Sequence, residues 1–313
     1  MANCNDLFQD YHGQISIGSR KNERMKNSKE GLRDRIRSWF KKNQPDYVPF
    51  FYIQGSYKMK VGIRTSEDIC DLDDGIYFFR EPDVTASTLK DWARQAVDGY
   101  TSTPPEDRKK CVRSIFSKDY EIDHPIYYKI DGQEYKIAVK GKGFEDSDPK
   151  AVVNWFISYK DDEGSLVRII KYLKGWADNQ AFKMPSGLAL TILATNAKMK
   201  IMLNKRDDIT LRDILKEIQK ELFVEFKCEV PAVPHDDLLA EYPNKENFME
   251  GLDGFLRDGD KALRETNHRA ASKLWRSHLG DRFPLGQDKE ERFAAGTSSA
   301  AAGAVTSFPY GHG

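Results

Sequence analysis

The residues from Gln54 to Phe79, QGSYKMKVGIRTSEDICDLDDGIYFF, leave few options for the chain around them. Ile69 to Phe79 is rich in Ile, Tyr and Phe, so it reads as a strand whose side chains alternate between two faces. Asp71 and Asp73 then point the same way, and Asp74 points the other. Neighbouring carboxylates repel unless a cation or a shared proton neutralises them, so a divalent metal is the natural partner of this pair. Upstream, the apolar run Val48 to Ile53 ends in Gly55-Ser56, a turn whose backbone N–H groups and hydroxyl suit a phosphate. A Gly-Ser alone is mostly a turn, and a D-x-D alone is more often a solvated edge. The two in succession point to nucleotide chemistry.

A third acid follows in DYEIDHPIYYKIDGQEYKIAV (119–139). Asp131-Gly132 separates two β-rich runs, Ile122 to Ile130 and Gln133 to Lys140, and predicts a hairpin with a type I′ turn. Asp123 then sits near the start of the first hairpin strand. If that strand lies beside the Asp71 strand, three carboxylates converge and can hold two Mg²⁺ ions about 3.5–4 Å apart. Otherwise Asp123 and His124 only start a strand ahead of Pro125.

Gly-Ser, then DLDDG on an apolar strand, then the I-D-x-P of Ile122 to Pro125, resembles the signature of the polymerase-beta-like nucleotidyltransferase superfamily. Over roughly Asn27 to Pro284 the chain is more narrowly similar to the bacterial cGAS/DncV-like nucleotidyltransferases (CD-NTases) of anti-phage CBASS operons, relatives of cyclic GMP-AMP synthase and oligoadenylate synthase. The stretches SDPKAVVNWF (147–156), IIKYLKGWADNQAFKMPSGLALTIL (169–193) and LWRSHLGDRFP (274–284) carry that narrower likeness.

The resemblance implies an α+β fold. A polymerase-beta-like nucleotidyltransferase lobe with a mixed central sheet and a long N-terminal spine helix would occupy residues 1–147. An oligoadenylate-synthase-like helical lobe, 148–288, would close the nucleotide cleft. The implied activity is a cyclic di- or trinucleotide second-messenger synthase that uses nucleoside triphosphates, ATP and/or GTP, with two Mg²⁺ ions or Mn²⁺ in their place. Asp71 and Asp73 would bind both metals, and Asp123 would complete the catalytic metal site and help activate the acceptor hydroxyl. Gln54, Gly55, Ser56, Tyr57, Lys58, Lys171, Lys174 and Ser186 would contact the nucleotide or its phosphates, with Lys171 preferred over Lys174. Gly187 departs from the aromatic often found after this serine, which leaves base stacking to Tyr57 or another residue. Ser147 to Pro149 would lie near the base. The product would act on a separate downstream effector, and operon proteins would regulate the enzyme or conjugate it through its C-terminus. Three alternatives stay open: a polymerase-like transferase making linear oligonucleotides or extending RNA, transfer of a nucleotide onto a protein, and a catalytically silent scaffold.

Composition trims these options. Lys plus Arg and Asp plus Glu both number 49, and a net charge of zero argues against a protein built mainly to grip nucleic acid. No stretch reaches the apolar length of a membrane span, and MANCNDLFQDYHG lacks a signal pattern, so a cytoplasmic protein is expected. Cys4, Cys70, Cys111 and Cys228 are scattered, without zinc spacing. A counterpart of the zinc thumb of cyclic GMP-AMP synthase is therefore missing, which argues against direct activation by DNA.

Along the rest of the chain, Met1 to Asn22 reads as polar and loosely packed until Ser19. Asn27 to Lys42 reads as an amphipathic helix with Leu32, Ile36, Trp39 and Phe40 on its core side. Lys58, Lys60 and Arg64 are either triphosphate ligands or ordinary loop charges. GKGFEDSDP (141–149) reads as a linker, and helical periodicity takes over from Asp148. CEVPAVPHDDLLAEYP (228–243) reads as a Pro-rich connector, which the resemblance implies runs along the domain surface. The Ala/Gly/Ser-rich tail, 289–313, is too poor in large apolar residues to fold and reads as a flexible extension.

Overall fold

A computed structural model describes residues 2–117 and 119–288 of the chain. The predicted flexible tail, 289–313, lies outside the described residues.

The sheet is built around the acidic strand. β1 (Phe50–Gln54) runs antiparallel to β2 (Asp71–Phe78), with Gln54 opposite Asp73. β3 (Glu106–Asp107) and β4 (Val112–Phe116) lead into β5 (Tyr120–His124), which runs parallel to β2 with Asp73 opposite Asp123. β6 (Ile126–Tyr128) continues along the same edge of β2, with Ile76 opposite Ile126. Pro125 separates these two strands. It has no N–H to offer, and its carbonyl accepts from Ile76 N at 2.9 Å. β7 (Lys136–Val139) and β8 (Gly143–Asp146) complete an eight-stranded mixed sheet. The expected α+β architecture with a mixed central sheet is what forms.

Two local expectations fail. The β6–β7 ladder ends at Tyr128 opposite Lys136, so a loop from 129 to 135 joins the strands. Within it Gln133 N donates to Ile130 O at 3.2 Å, and only Gly132 takes a positive φ, of 78°. A type I′ turn needs positive φ at both central residues, and Asp131 does not supply it. The segment read as a linker holds β8, closed tightly onto β7 with Val139 opposite Gly143. Gly141 and Gly143 make that reversal with φ of 75° and 88°, a conformation open to glycine without steric penalty.

The helices form two cores. α1 (Asn5–Ile15) precedes α2 (Ser19–Asn43), and a single turn, α3 (Gly55–Lys58), follows β1. α4 (Ala86–Val97) covers the sheet beside α2, capped by the Thr85 hydroxyl, which accepts from Thr88 N. Met25, Leu32, Ile36 and Phe40 of α2 pack on Leu72, Ile76 and Phe78 of β2. These three share their face of β2 with Asp74, as the strand's period of two requires. The Asp74 carboxylate is fully buried, and Arg33 of α2 grips it with Nε–Oδ2 at 2.8 Å and Nη2–Oδ1 at 2.5 Å. α2 starts two turns before the predicted Asn27. Those turns are polar, but they are anchored by Lys21, whose ammonium lies 2.9 Å from Asp68 and 3.0 Å from Asp119.

The second core belongs to α5 (Pro149–Tyr159), α6 (Ser165–Asp178), α7 (Gly187–Lys198), α8 (Asp207–Val224), α9 (Lys245–Arg264) and α10 (His268–Leu279). α1 joins it, contrary to the expectation of a loose N-terminus. Leu7, Phe8, Tyr11 and Ile15 recur at helical spacing and are buried there. Phe8 meets Tyr172, Trp275 and Phe283 with ring centroids 4.9–5.2 Å apart. A Cβ at Gly175 would stand 2.2 Å from the Tyr11 hydroxyl oxygen, so glycine there lets α1 lie on α6.

Removing one member of a buried ion pair strands the other's charge and costs about 3–5 kcal/mol. Arg33→Met is expected to lower unfolding free energy by that amount in urea titration, and adding Asp74→Leu should restore a large part of it. A loss below about 1 kcal/mol would show that the pair is not a structural tie.

Candidate active site

β1 delivers the chain to a cleft of about 580 Å³ between the sheet and the helical core. Gln54 is fixed at the end of β1: its Oε1 accepts from the Tyr77 hydroxyl at 2.7 Å, and its Nε2 donates to the Tyr127 hydroxyl at 3.0 Å. Gly55 follows with φ of 60°, and a Cβ there would fall 2.0 Å from Asp73 Oδ2. Only glycine lets the turn pass this close over the acid. Ser56 comes next on the cleft wall. Asp71 and Asp73 share the cleft face of β2, and the parallel register sets Asp123 beside Asp73. The three acids therefore line one cleft.

They carry strong mutual repulsion. Burial, then Asp123 and Asp71, push the Asp73 carboxyl up to about 7. The walls of the cleft also raise the pKa of Asp71, with Arg113 acting against them. Asp123 is already engaged: Arg113, opposite it in the β4–β5 register, holds it with Nε–Oδ1 at 2.7 Å and Nη2–Oδ2 at 2.8 Å and also binds Glu121. The nearest cation on the helical side is Lys174. Its Nζ donates to Val61 O at 3.1 Å, and burial lowers its pKa to about 8 against the pull of Asp73 and Asp71.

Among the described residues, no group of three or more acids, histidines or cysteines stands arranged to hold a metal. Both oxygens of Asp123 are bound by Arg113. Asp71 and Asp73 nonetheless fit a divalent cation as hard oxygen donors whose repulsion it would relieve.

The structure sorts the remaining candidates. Gln54, Gly55, Ser56 and Lys174 line the cleft, as do Ser147, Asp148 and Pro149. Asp148 caps α5 through Ala151 N at 2.9 Å. Ser186 caps α7 by accepting from Ala189 N at 3.1 Å and touches the cleft only through its neighbour Gly187. Tyr57 does not enter the cleft, because its hydroxyl is turned to Asn22 of α2. Lys58 is exposed and lies outside the lining. Lys171 points elsewhere too: its Nζ donates to Ser16 Oγ at 2.9 Å, so the preference for Lys171 over Lys174 is reversed.

Sequence reading missed Lys110, Cys111 and Arg113, which border the cleft or bind its acids. An arginine at 113 opposite a D-x-x on the next strand was the available signal. It also placed the Pro-rich connector on the surface, whereas Val230, Val233, Pro234, Asp236 and Leu238 form part of the cleft wall.

Folded Asp73 keeps its proton up to about pH 7, whereas an ordinary Asp loses it near 3.8. Between these values the folded state binds more protons, so stability falls as pH rises through the window. Asp73→Asn is expected to raise the melting temperature of metal-free protein at about pH 8 and to leave it near wild type at about pH 4. Equal shifts at both would contradict this assignment of the repulsion.

Residues 49–127 match the family model described as Cyclic GMP-AMP synthase DncV-like, nucleotidyltransferase domain. A "Cyclic GMP-AMP synthase" of Escherichia albertii is 30% identical over 258 residues, covering 71% of this chain and 55% of the relative. The chain thus spans about half the length of that curated relative. The Vibrio cholerae DncV cyclic AMP-GMP synthase in complex with nonhydrolyzable GTP superposes with a TM-score of 0.79 at 17% identity, covering 92% of this chain and 100% of that one. The same enzyme with the linear intermediate 5′ pppA(3′,5′)pG gives 0.79 at 16% identity, covering 91% and 99%. At these identities the superpositions establish the fold. With the family model and the curated relative beside them, the chain belongs to the bacterial cGAS/DncV-like nucleotidyltransferases.

Proposed function

We propose that this protein is a nucleotidyltransferase that joins nucleoside triphosphates into a cyclic di- or trinucleotide and releases pyrophosphate. The observation that carries this reading is the register that sets Asp123 beside Asp73, two residues from Asp71, under the Gly55-Ser56 turn. That arrangement suits a triphosphate held against a carboxylate cluster. The similarity to enzymes described with GTP and with a linear dinucleotide intermediate supports ATP and GTP as the substrates to test.

In this reading Ser56 and the backbone of the turn hold the donor triphosphate, and Lys174 neutralises it from the helical side. An acceptor hydroxyl attacks the α-phosphorus in line. A new P–O ester bond forms, the bond to the bridging oxygen breaks, and pyrophosphate leaves with the electron pair. The hydroxyl proton passes to Asp123 and then to solvent. A second transfer closes the ring. Divalent ions, Mg²⁺ or Mn²⁺, held by Asp71, Asp73 and Asp123, would supply charge neutralisation on both the attacking and leaving oxygens. Arg113 keeps Asp123 aimed along the sheet and balances its charge until then. Lys174, on the helical side of the cleft, balances the other end.

The role proposed with this chemistry is anti-phage signalling in the cytoplasm, with the product acting on a separate effector. No helix among the described residues is long and apolar enough to cross a membrane. Conjugation through the C-terminus concerns residues outside those described.

Purified protein with labelled triphosphates and Mg²⁺ or Mn²⁺ should yield a phosphatase-resistant product by mass analysis, absent with Asp71→Asn/Asp73→Asn. Linear products alone would move the reading to a polymerase-like transferase, and no product under any metal would remove it. A charged hydrogen bond contributes roughly 1.5–3 kcal/mol, so Lys174→Met should raise the triphosphate KM roughly ten- to a hundredfold. An unchanged KM would take Lys174 out of the phosphate site.

A further inference from the structure

Another cavity, of about 330 Å³, shares Gly62 with the lining of the cleft. Asn22 and Lys26 of α2, Tyr57 and Lys60 of the turn after β1, and Lys171 of α6 line it, and no carboxylate is among its lining residues. Three lysines thus line one half-open space without an acid among its lining residues.

Lys171 is the telling member. The buried lysines of the described structure are Lys21, Lys29, Lys90 and Lys171. Lys21 has Asp68 and Asp119, Lys29 has Glu30 at 2.7 Å, and Lys90 has Asp107 at 2.9 Å. Lys171, only 9% exposed, has the neutral Ser16 hydroxyl and, at 3.4 Å, His12 Nε2. His12 offers no negative charge: burial, then Lys171 and Arg168, lower its pKa to about 4. A buried ammonium without a counter-ion is costly, and two more lysines around the same space deepen the positive potential. The Tyr57 hydroxyl donates to Asn22 Oδ1, which leaves the Asn22 amide group as a further donor. Lys60 itself is held at φ of 62° by its N–H to Tyr57 O, a left-handed position unfavourable for lysine. The cavity is therefore lined by donors and cations, with no acid among its lining residues.

We propose that this cavity is a second anion site, separate from the cleft, that binds a small, multiply charged phosphate compound. Convergence of three ammonium groups selects for more than one negative charge, and the absence of aromatic faces beyond Tyr57 leaves little to recognise a base. The site does not rest on the reading of the cleft, since it uses none of Asp71, Asp73, Asp123 or Lys174.

The test is calorimetric titration of the full chain with inorganic pyrophosphate in low-salt buffer containing EDTA, which keeps metal-loaded cleft binding out of the measurement. Wild type should bind saturably. Lys171→Met should weaken binding at least roughly tenfold, as loss of a charged hydrogen bond does, and Lys174→Met should bind as wild type. Lys26→Gln/Lys60→Gln, two exposed positions that leave the core intact, should weaken it as well. That variant decides the matter if Lys171→Met fails to fold by circular dichroism. A parallel titration with ATP distinguishes the source: Lys171-dependent binding of both identifies a triphosphate tail, and of pyrophosphate alone a free anion. Absence of saturable pyrophosphate binding in wild type would overturn the proposal. So would loss in Lys174→Met with retention in Lys171→Met and in Lys26→Gln/Lys60→Gln.

Discussion

A strand that carries Asp at 71, 73 and 74 cannot keep all three carboxylates in one environment. Alternation sends two into a shared cleft and the third into the core, where it must be matched at once. Arg33 performs that match, and to reach Asp74 it must come from a helix laid across the back of the sheet. The position of α2 over β2, and with it the packing of Phe40 on Phe78, follows from this one buried charge. The cleft side then inherits the opposite condition. Asp71 and Asp73 are left without a basic partner of their own, and their mutual repulsion adds to burial in raising the Asp73 pKa.

What could be read from the sequence was whatever depends on neighbours along the chain. The alternation of β2, the Gly55 turn and the change to helical periodicity after Asp148 are local properties, and β2, the turn and the first of those helices, from Pro149, form where they were read. The N-terminal helix was legible too, since Leu7, Phe8, Tyr11 and Ile15 lie on one stripe, but short polar residues between them masked it. Lys171 against Lys174 is a different kind of problem. The two are three residues apart on one helix, so their side chains leave it about 60° apart. Which one meets the acids depends on how α6 rolls against the sheet, and nothing within the helix sequence encodes that. Arg113 was hidden for the same reason, because its partner is set by strand pairing across a turn.

Cationic side chains are among the ties between the two lobes of the cleft, beside the apolar packing of Met59 and Val61 on the helical core. Lys174 of α6 reaches the backbone carbonyl of Val61. Lys150 of α5 sits 3.1 Å from the ring centroid of Tyr52 and 4.6 Å from that of Tyr77, and its Nζ donates to the Tyr135 hydroxyl at 3.2 Å. Aromatic faces attract a cation without fixing its direction tightly, so this contact allows rotation where an ion pair would resist it. Arg282, next to the end of α10, adds a more rigid tie by binding Arg64 O at 2.6 Å and Asp178 at 2.6 Å.

Pro125 splits one edge of β2 between two separate ladders. On its near side Glu121 N is tied to Cys70 O, and on its far side Lys129 N is tied to Phe78 O. The outer partners differ as well: β4 flanks β5, and β7 flanks β6. The sheet forks at the proline, so the branch that carries Asp123 and the branch that ends in β8 are anchored independently. Insertions in the 129–135 or 140–142 loops would lengthen one branch without shifting the other by a residue. Such a fork lets one branch change length while the acid pairing on the other stays in register.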